Sequence, residues 1–479
     1  MNQSQTILKN TVVLGLSEVI ERLSTVYLGI CVARKLGAGA FGVYSVAMVY
    51  YSLLFLAAEL GCTTYLVREI AKDRTQTNRL VVHAALLSAA LGLVLATGAR
   101  MVLPFAGFSR DVQLALYIIV WAIVPATLKA IQESVFVAYQ KAEFLTYSAL
   151  VAGIVNLAAA LYLLSLGLGV VSLVLAFIVV QFVVAAFYFL SVNRYITRLH
   201  WEFAPSFAFR MLREIRPFTG TSLIQGMLSR PEIILLSFTR NNAEIGFYSA
   251  ALKIVDLWQL VPRSLMTNVF PLLSSGYRAG SQEETHVLRE RSIKYLLALS
   301  SPLAVGLFVT ARPVLHWLYG DGFESSVVVL KILVWTIPLG SLWSVLWRVL
   351  SARGEHGAAL ESQIVTLLFR LAAGYLVIRS FASLGAAVST TASMLALDLL
   401  LAYRVRRDGS QLRFVRLAGR TALAAAGMGV ITLLLRDHLQ LWALACVSAA
   451  AYVTMIFLVK AFSKEDFSLF RNLWHARTT

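Results

Sequence analysis

The sequence predicts an all-α polytopic membrane protein of about fourteen transmembrane helices: two homologous six-helix lobes followed by two C-terminal helices. Three observations predict it. Of 479 residues, 58% are hydrophobic and only 14% charged, about half the charge of a soluble domain, and the mean hydropathy is +0.74. Apolar runs of about 20 residues recur along the whole chain, long enough to cross a hydrocarbon core of roughly 30 Å. Short stretches of the first half also return in the second at nearly constant offset.

In order, the spans fall at 10–33, 40–62, 79–103, 113–138, 143–166, 170–192, 217–239, 244–274, 291–311, 326–350, 357–379, 383–403, 414–435 and 440–461. An even number puts both termini on one side, and the Lys+Arg bias chooses the side. With the N-terminus cytoplasmic, 26 basic residues lie on the cytoplasmic side and 8 on the outside. That excess explains most of the +17 net charge, so no nucleic-acid partner is needed. The odd set Cys31, Cys62 and Cys446 fits no disulfide or zinc spacing and reads as small buried residues. One lysine and no small-residue cleavage site accompany the first apolar run, which therefore reads as retained.

The connections are short. Even the longest, 193–216, is too short for a soluble catalytic domain. The chain has no G-x-x-x-x-G-K-[ST], no H-E-x-x-H and no paired C-x-x-C, so neither an ATPase nor a metallopeptidase is expected. The one nucleotide-like pattern is "LGAGAFGVYS" (36–45), in which Gly37, Gly39 and Gly42 reproduce G-x-G-x-x-G. A dinucleotide site needs a strand before those glycines. Here a membrane helix precedes them, so Gly37 and Gly39 read as an outside turn. Gly42 then begins the next helix, where a small residue permits close packing.

The internal repeat supports this. "FGVYSVAM" (41–48) matches "IGFYSAAL" (245–252), pairing Gly42, Tyr44 and Ser45 with Gly246, Tyr248 and Ser249. "NLAAALYLL" (156–164) matches "RLAAGYLVI" (370–378), and "LGVVS" (168–172) matches "LGAAV" (384–388). The organisation that follows is an N-lobe at 1–192, a cytoplasmic linker at 193–216, a C-lobe at 217–403, and two extra spans with a cytoplasmic tail at 404–479. An even number of spans per lobe makes the repeats parallel.

"ARKLGAGAFGVYSVA" (33–47), "ELGCTTYLVREIAKD" (59–73), "IGFYSAALKIVDLWQLVPRSLMTNVFPLLSS" (245–275) and "FASLGAAVSTTAS" (381–393) resemble the Wzx-type polysaccharide flippases. These belong to the multidrug/oligosaccharidyl-lipid/polysaccharide transporter superfamily. The resemblance spans nearly the whole chain. It implies a MATE-like pair of six-helix lobes around a central cavity, alternating access, and an undecaprenyl-type lipid-diphosphate oligosaccharide as cargo. The family often has an aspartate in the seventh span, where this chain has "SRPEII" (229–234) and the longer Glu232.

Charges inside the spans carry the case for transport. A charge at a helix centre costs at least ~2.5–3.5 kcal/mol, so each should face protein or water. Span 1 aligns Glu18, Glu21 and Arg22, and span 4 puts Lys129 and Glu133 on one face. Arg230 and Glu232 flank Pro231 in span 7. Lys253, Asp256 and Arg263 share a face of span 8, and Arg370 follows Gln363 and Thr366 in span 11. Arg22, Lys129, Arg230, Lys253, Arg263 and Arg370 are the expected ligands of a diphosphate, which suits arginine's planar fork. Glu18, Glu21, Glu232 and Asp256 are the candidates for coupling to a proton or sodium gradient, no other cofactor being expected. For each charge the alternative is a buried pair that only fixes packing. Lys331 and Arg348 lie near span ends and read as snorkelling. Glu59 and Asp398 read as packing residues, and Trp201, Trp317, Trp442 and Trp474 as interfacial anchors.

The function expected is therefore a flippase in the cytoplasmic membrane with both termini cytoplasmic, working beside a polysaccharide polymerase and glycosyltransferases. The alternatives are an exporter of drugs or other lipid-linked cargo and, behind it, a membrane-embedded polymerase. Reporter fusions at Gly107, Gly322 and Arg436 should report outside, and those at Arg194, Arg407 and the C-terminal end inside. A C-terminal tag reachable from outside intact cells would sink this topology.

Overall fold

Helices dominate because apolar segments in a hydrocarbon solvent must satisfy every backbone N–H and C=O internally. The computed structural model describes residues 3–141, 143–239, 241–406 and 414–459, and all regular structure among them is helical. Two segments are too long for one crossing. Gln3–Glu59 is interrupted at Gly37 (φ 79°), and His356–Arg406 at Ala382 (φ 45°). Gly37 is thus a turn between two membrane helices, with no strand before it, which removes the dinucleotide reading.

Ten stretches among the described residues are long and apolar enough to cross a membrane; Val19–Glu59 and Gly357–Arg406 are double-length at 41 and 50 residues. The seventh and eighth expected spans coincide with Pro205–Ser229 plus Pro231–Ser237 and Asn242–Asp256 plus Leu260–Ala279, whose charges dilute their hydropathy. The expected number of crossings, about fourteen, is consistent with this arrangement.

Three of the spans are broken for one physical reason. Proline lacks an N–H and clashes with the carbonyl four residues earlier. Pro125, Pro262 and Pro338 place that position at Trp121, Trp258 and Val334. The helix tightens to a 3₁₀ turn at Val120–Ala122 and at Leu257–Gln259, and it is interrupted between Ser326–Leu333 and Thr336–Ala352. Pro231 acts differently: it starts a new helix after a break at Arg230 (φ −147°, ψ 44°).

The chain forms two compact units, Met1–Ala250 with Leu371–Ala386, and Ala251–Arg370 with Ala387–Thr479. The first packs around Leu66, Ile70, Ile131, Phe136, Val184 and Tyr188, the second around Met266, Leu273, Ile293, Val345, Leu346 and Leu401. Of the cysteines, Cys62 is buried, Cys31 half-buried and Cys446 exposed, so only the first is a core residue.

Within the first unit the repeated glycines meet. A Cβ on Gly42 would lie 1.8 Å from the Asn242 carbonyl oxygen, and one on Gly246 would lie 2.0 Å from the Ala38 carbonyl oxygen. Only hydrogen fits at either place. Tyr44, Ser45, Tyr248 and Ser249, the other paired residues, are all buried nearby. Gly42→Ala would gain about 0.5–1 kcal/mol in helix propensity. It would also drive a methyl into backbone that cannot rotate away, and overpacking costs about 1–3 kcal/mol or more even where side chains can yield. The clash wins. Gly42→Ala and Gly246→Ala should each lower the thermal midpoint in detergent, while Gly39→Ala, with nothing within 4 Å, should not. Equal midpoints for all three would contradict the close crossing.

Candidate functional site

In the first unit, Glu21 is exposed and Arg22 half-buried on the first helix; the side chain of Glu18 lies outside the described residues. Lys129 Nζ sits 3.5 Å from Glu133 Oε1, one helical turn on. Glu21 lies near enough to act on Lys129 as well, and Glu21 and Glu133 both act on Tyr51 and Tyr188. Tyr188 shares a hydrogen bond with Ser148, and the Tyr51 hydroxyl accepts from Gln181 Nε2 at 2.9 Å. The sequence reading placed Glu21 and Lys129 on separate helices; the fold brings them into one polar cluster. Glu133 already pairs with Lys129, so a diphosphate there would have to compete with it. In the seventh span, Arg230 is half-buried at the helix break. Glu232 is 2% exposed in the first turn of Pro231–Ser237, where the helix dipole favours an acid.

In the second unit, Lys253 and Asp256 are half-buried on Asn242–Asp256. Asp256 Oδ1 accepts from Gln259 Nε2 at 3.4 Å across the proline-induced turn, and Trp258 Nε1 donates to Ser341 Oγ at 2.8 Å. Arg263, exposed on Leu260–Ala279, and Arg348, half-buried on Thr336–Ala352, lie close enough to repel each other. Arg348 also donates to the Ser344 carbonyl at 3.4 Å. Arg370 is half-buried, one turn beyond the buried Thr366 and two beyond Gln363. Beside Thr391 an open groove of about 390 Å³ is lined by Ile332, Trp335, Leu339 and Leu395. Its apolar walls suit a hydrocarbon rather than a phosphate.

Two acids have architectural work that spacing alone did not assign. The Glu59 carboxylate accepts from Gly61 N (3.2 Å), Thr63 N (2.7 Å) and Thr63 Oγ1 (2.5 Å), capping the helix Cys62–Lys72 after left-handed Leu60 and Gly61. The only hint in sequence was an acid two residues before a glycine and four before a threonine. Glu244 Oε2 accepts from Ser383 N at 3.1 Å, beside the break at Ala382; a contact across 139 positions leaves no local signal. Asp398 is the contrast. It is 2% exposed, and among the described residues neither carboxyl oxygen has a hydrogen-bond partner.

Residues 31–328, well over half of the chain, match the family model described as polysaccharide biosynthesis protein. The chain belongs to this family. A second model, lipid II flippase MurJ, matches residues 234–461 of this polysaccharide biosynthesis protein. A Shigella flexneri protein named for O-antigen transport is 23% identical over 78% of the chain and 92% of its own length. A Haloferax volcanii protein described as a probable low-salt glycan biosynthesis flippase, Agl15, is 23% identical over 36% of each chain. Among solved structures, lipid II flippase MurJ in an inward closed conformation superposes with a TM-score of 0.78 at 14% identity, covering 93% of this chain and 98% of that one. An inward-facing MATE family multidrug transporter gives 0.66 at 14% identity, over 80% and 94%. The resemblance to Wzx-type flippases and the MATE-like fold expected from the motifs are both borne out.

Asp398 yields a stability test. A buried polar group left without a partner costs about 1–3 kcal/mol, and removing it costs nothing comparable. Asp398→Leu should therefore raise the thermal midpoint in detergent, whereas Glu59→Leu, which strips a three-bond cap, should lower it. A lower midpoint for Asp398→Leu would mean that the carboxyl is held after all.

Proposed function

We propose that this protein flips a polyprenyl-diphosphate-linked oligosaccharide across the cytoplasmic membrane by alternating access of its two six-span lobes. It is a transporter, not an enzyme. The observation that carries the reading is Arg348, a cation half-buried on a membrane helix with a second cation, Arg263, near enough to repel it. Burial and the neighbouring like charge both make the Arg348 guanidinium a site where an anion is favoured. Both arginines fall toward the cytoplasmic ends of their spans under the positive-inside orientation, where the cargo's diphosphate would enter. In the same unit Lys253 and Arg370 add basic charge to the membrane helices; in the other unit Arg22 and Arg230 do so, while Lys129, held between acids, contributes less. The glycan-flippase and O-antigen names of the relatives support this cargo class over a drug.

Energy coupling falls to the acids the spans carry beside their basic residues: Glu21, Glu232, Asp256 and Glu18. An acid moved between a cation and a dry site would gain and lose a proton or sodium ion as the lobes rock.

The test is flipping of a fluorescent lipid-diphosphate oligosaccharide in vesicles. Each charge-assisted hydrogen bond to phosphate is worth about 1.5–3 kcal/mol, so Arg263→Ala or Arg348→Ala should cut transport at low cargo by roughly 10–100-fold. Arg436→Ala, in an outside loop, should not. An imposed proton or sodium gradient should change the rate, and Glu232→Gln or Glu21→Gln should remove that response. Full flipping by both arginine variants would end the assignment of the pair. Indifference to both gradients would end coupling alone.

A further inference from the structure

The connection between the sixth and seventh spans is not a free loop. His200 N donates to Asn78 Oδ1 (2.9 Å), Asn78 Nδ2 donates to Glu202 Oε2 (3.1 Å), and Ala204 N donates to His83 Nε2 (2.9 Å). The His83 ring stacks on Phe203, and Arg79 lies over the Phe207 ring. The helix Pro205–Ser229 then starts by burying Phe207, Ala208, Met211 and Ile215. One side of residues 196–216 is therefore fastened to the protein.

The other side is unlike it. Trp201 and Phe209 are each 76% exposed. At 100° per residue, Ser206, Phe209, Arg210, Arg213 and Arg216 share roughly a third of the helix circumference, opposite the buried residues. Arg194 and Arg198 are exposed just upstream. The segment has two acids, and the fold engages both. Glu202 accepts from Asn78 and pairs with Arg79 at 3.4 Å, and Glu214 Oε2 accepts from the Tyr65 hydroxyl at 2.7 Å. Burial first, and then this contact, push the Tyr65 hydroxyl up, keeping it a donor. Among the described residues no ion pair holds Arg198, Arg210, Arg213 or Arg216. Just upstream, the apolar helix Val170–Tyr195 ends in exposed Phe189, Leu190 and Tyr195.

We propose that this face, aromatic anchors among arginines, docks on the anionic phospholipid headgroups of the cytoplasmic leaflet. Aromatic rings seat at the acyl–headgroup boundary and arginines take the phosphates above them. Anchored there, the segment fixes the height of the seventh span, whose helix is continuous with it. The proposal is independent of the cargo.

Full-length protein in nanodiscs of phosphatidylcholine, with or without one third phosphatidylglycerol, tests it by amide exchange over 196–216. Each arginine near an anionic surface is worth about fivefold in partition, so R210Q/R213Q/R216Q should lose about a hundredfold of the preference for phosphatidylglycerol. Wild-type exchange should slow at least tenfold in the anionic discs, and the effect should shrink at high salt. The triple variant should show no slowing. W201A/F209A should keep salt sensitivity but exchange faster, and charge-matched R100Q/R110Q/R436Q should behave as wild type. Equal exchange of the wild type in both discs would overturn the proposal. So would protection in neutral discs by inorganic diphosphate, which would make the face a collector of soluble phosphate.

Discussion

Two carbonyl groups constrain the first unit more than any side chain does. The Asn242 carbonyl occupies the place of a Gly42 side chain, and the Ala38 carbonyl that of a Gly246 side chain. Helices that approach this closely fix everything attached to them. Asn242 Oδ1 accepts from Ser109 Oγ at 3.0 Å, Tyr50 and Ser237 share a hydrogen bond of 3.2 Å, and Phe108 stacks on Phe238. Two residues past Asn242, Glu244 anchors the start of the twelfth span. Each sequence repeat supplies one half of the crossing. A duplicated chain can form such a contact almost symmetrically, because the same small residue recurs at the same place in both copies.

The same physics explains the false nucleotide motif. Glycine is needed at Gly37 for a left-handed turn and at Gly42 for a close approach, and a dinucleotide fingerprint needs glycine for those two reasons as well. Spacing reports the backbone requirement and not the ligand. What separated the two readings was the apolar run before the motif, a helix by length and composition alone.

Legibility in the sequence followed the range of the interactions. Spans, the break at Pro231 and the Lys129–Glu133 pair depend on residues within one or two turns, and each was readable. The proline-driven breaks in the fourth, eighth and tenth spans were readable in principle, through the residue four positions before each proline. The approach of Glu21 to Lys129, the cap by Glu244 and the clamp of Asn78 and His83 on the linker depend on folding across scores of positions. No periodicity encodes them. Cys446 is exposed rather than buried: in a lipid solvent an apolar helix does not announce which of its faces is covered.

That limit bears on how intramembrane charges are assigned. Hydropathy treats every ionisable residue in a span as equally expensive, and therefore as equally suggestive of transport. The structure divides them by what already satisfies them. Glu59 and Glu244 spend their carboxylates on backbone N–H groups, so their loss would be felt as misfolding whatever the cargo. Lys129 is balanced by Glu133 before any ligand arrives. Arg348 is the reverse case: burial first, and then the like charge of Arg263, make it costly to keep. A residue that is expensive in the resting fold is the better transport candidate, because only binding of an opposite charge repays what its position costs.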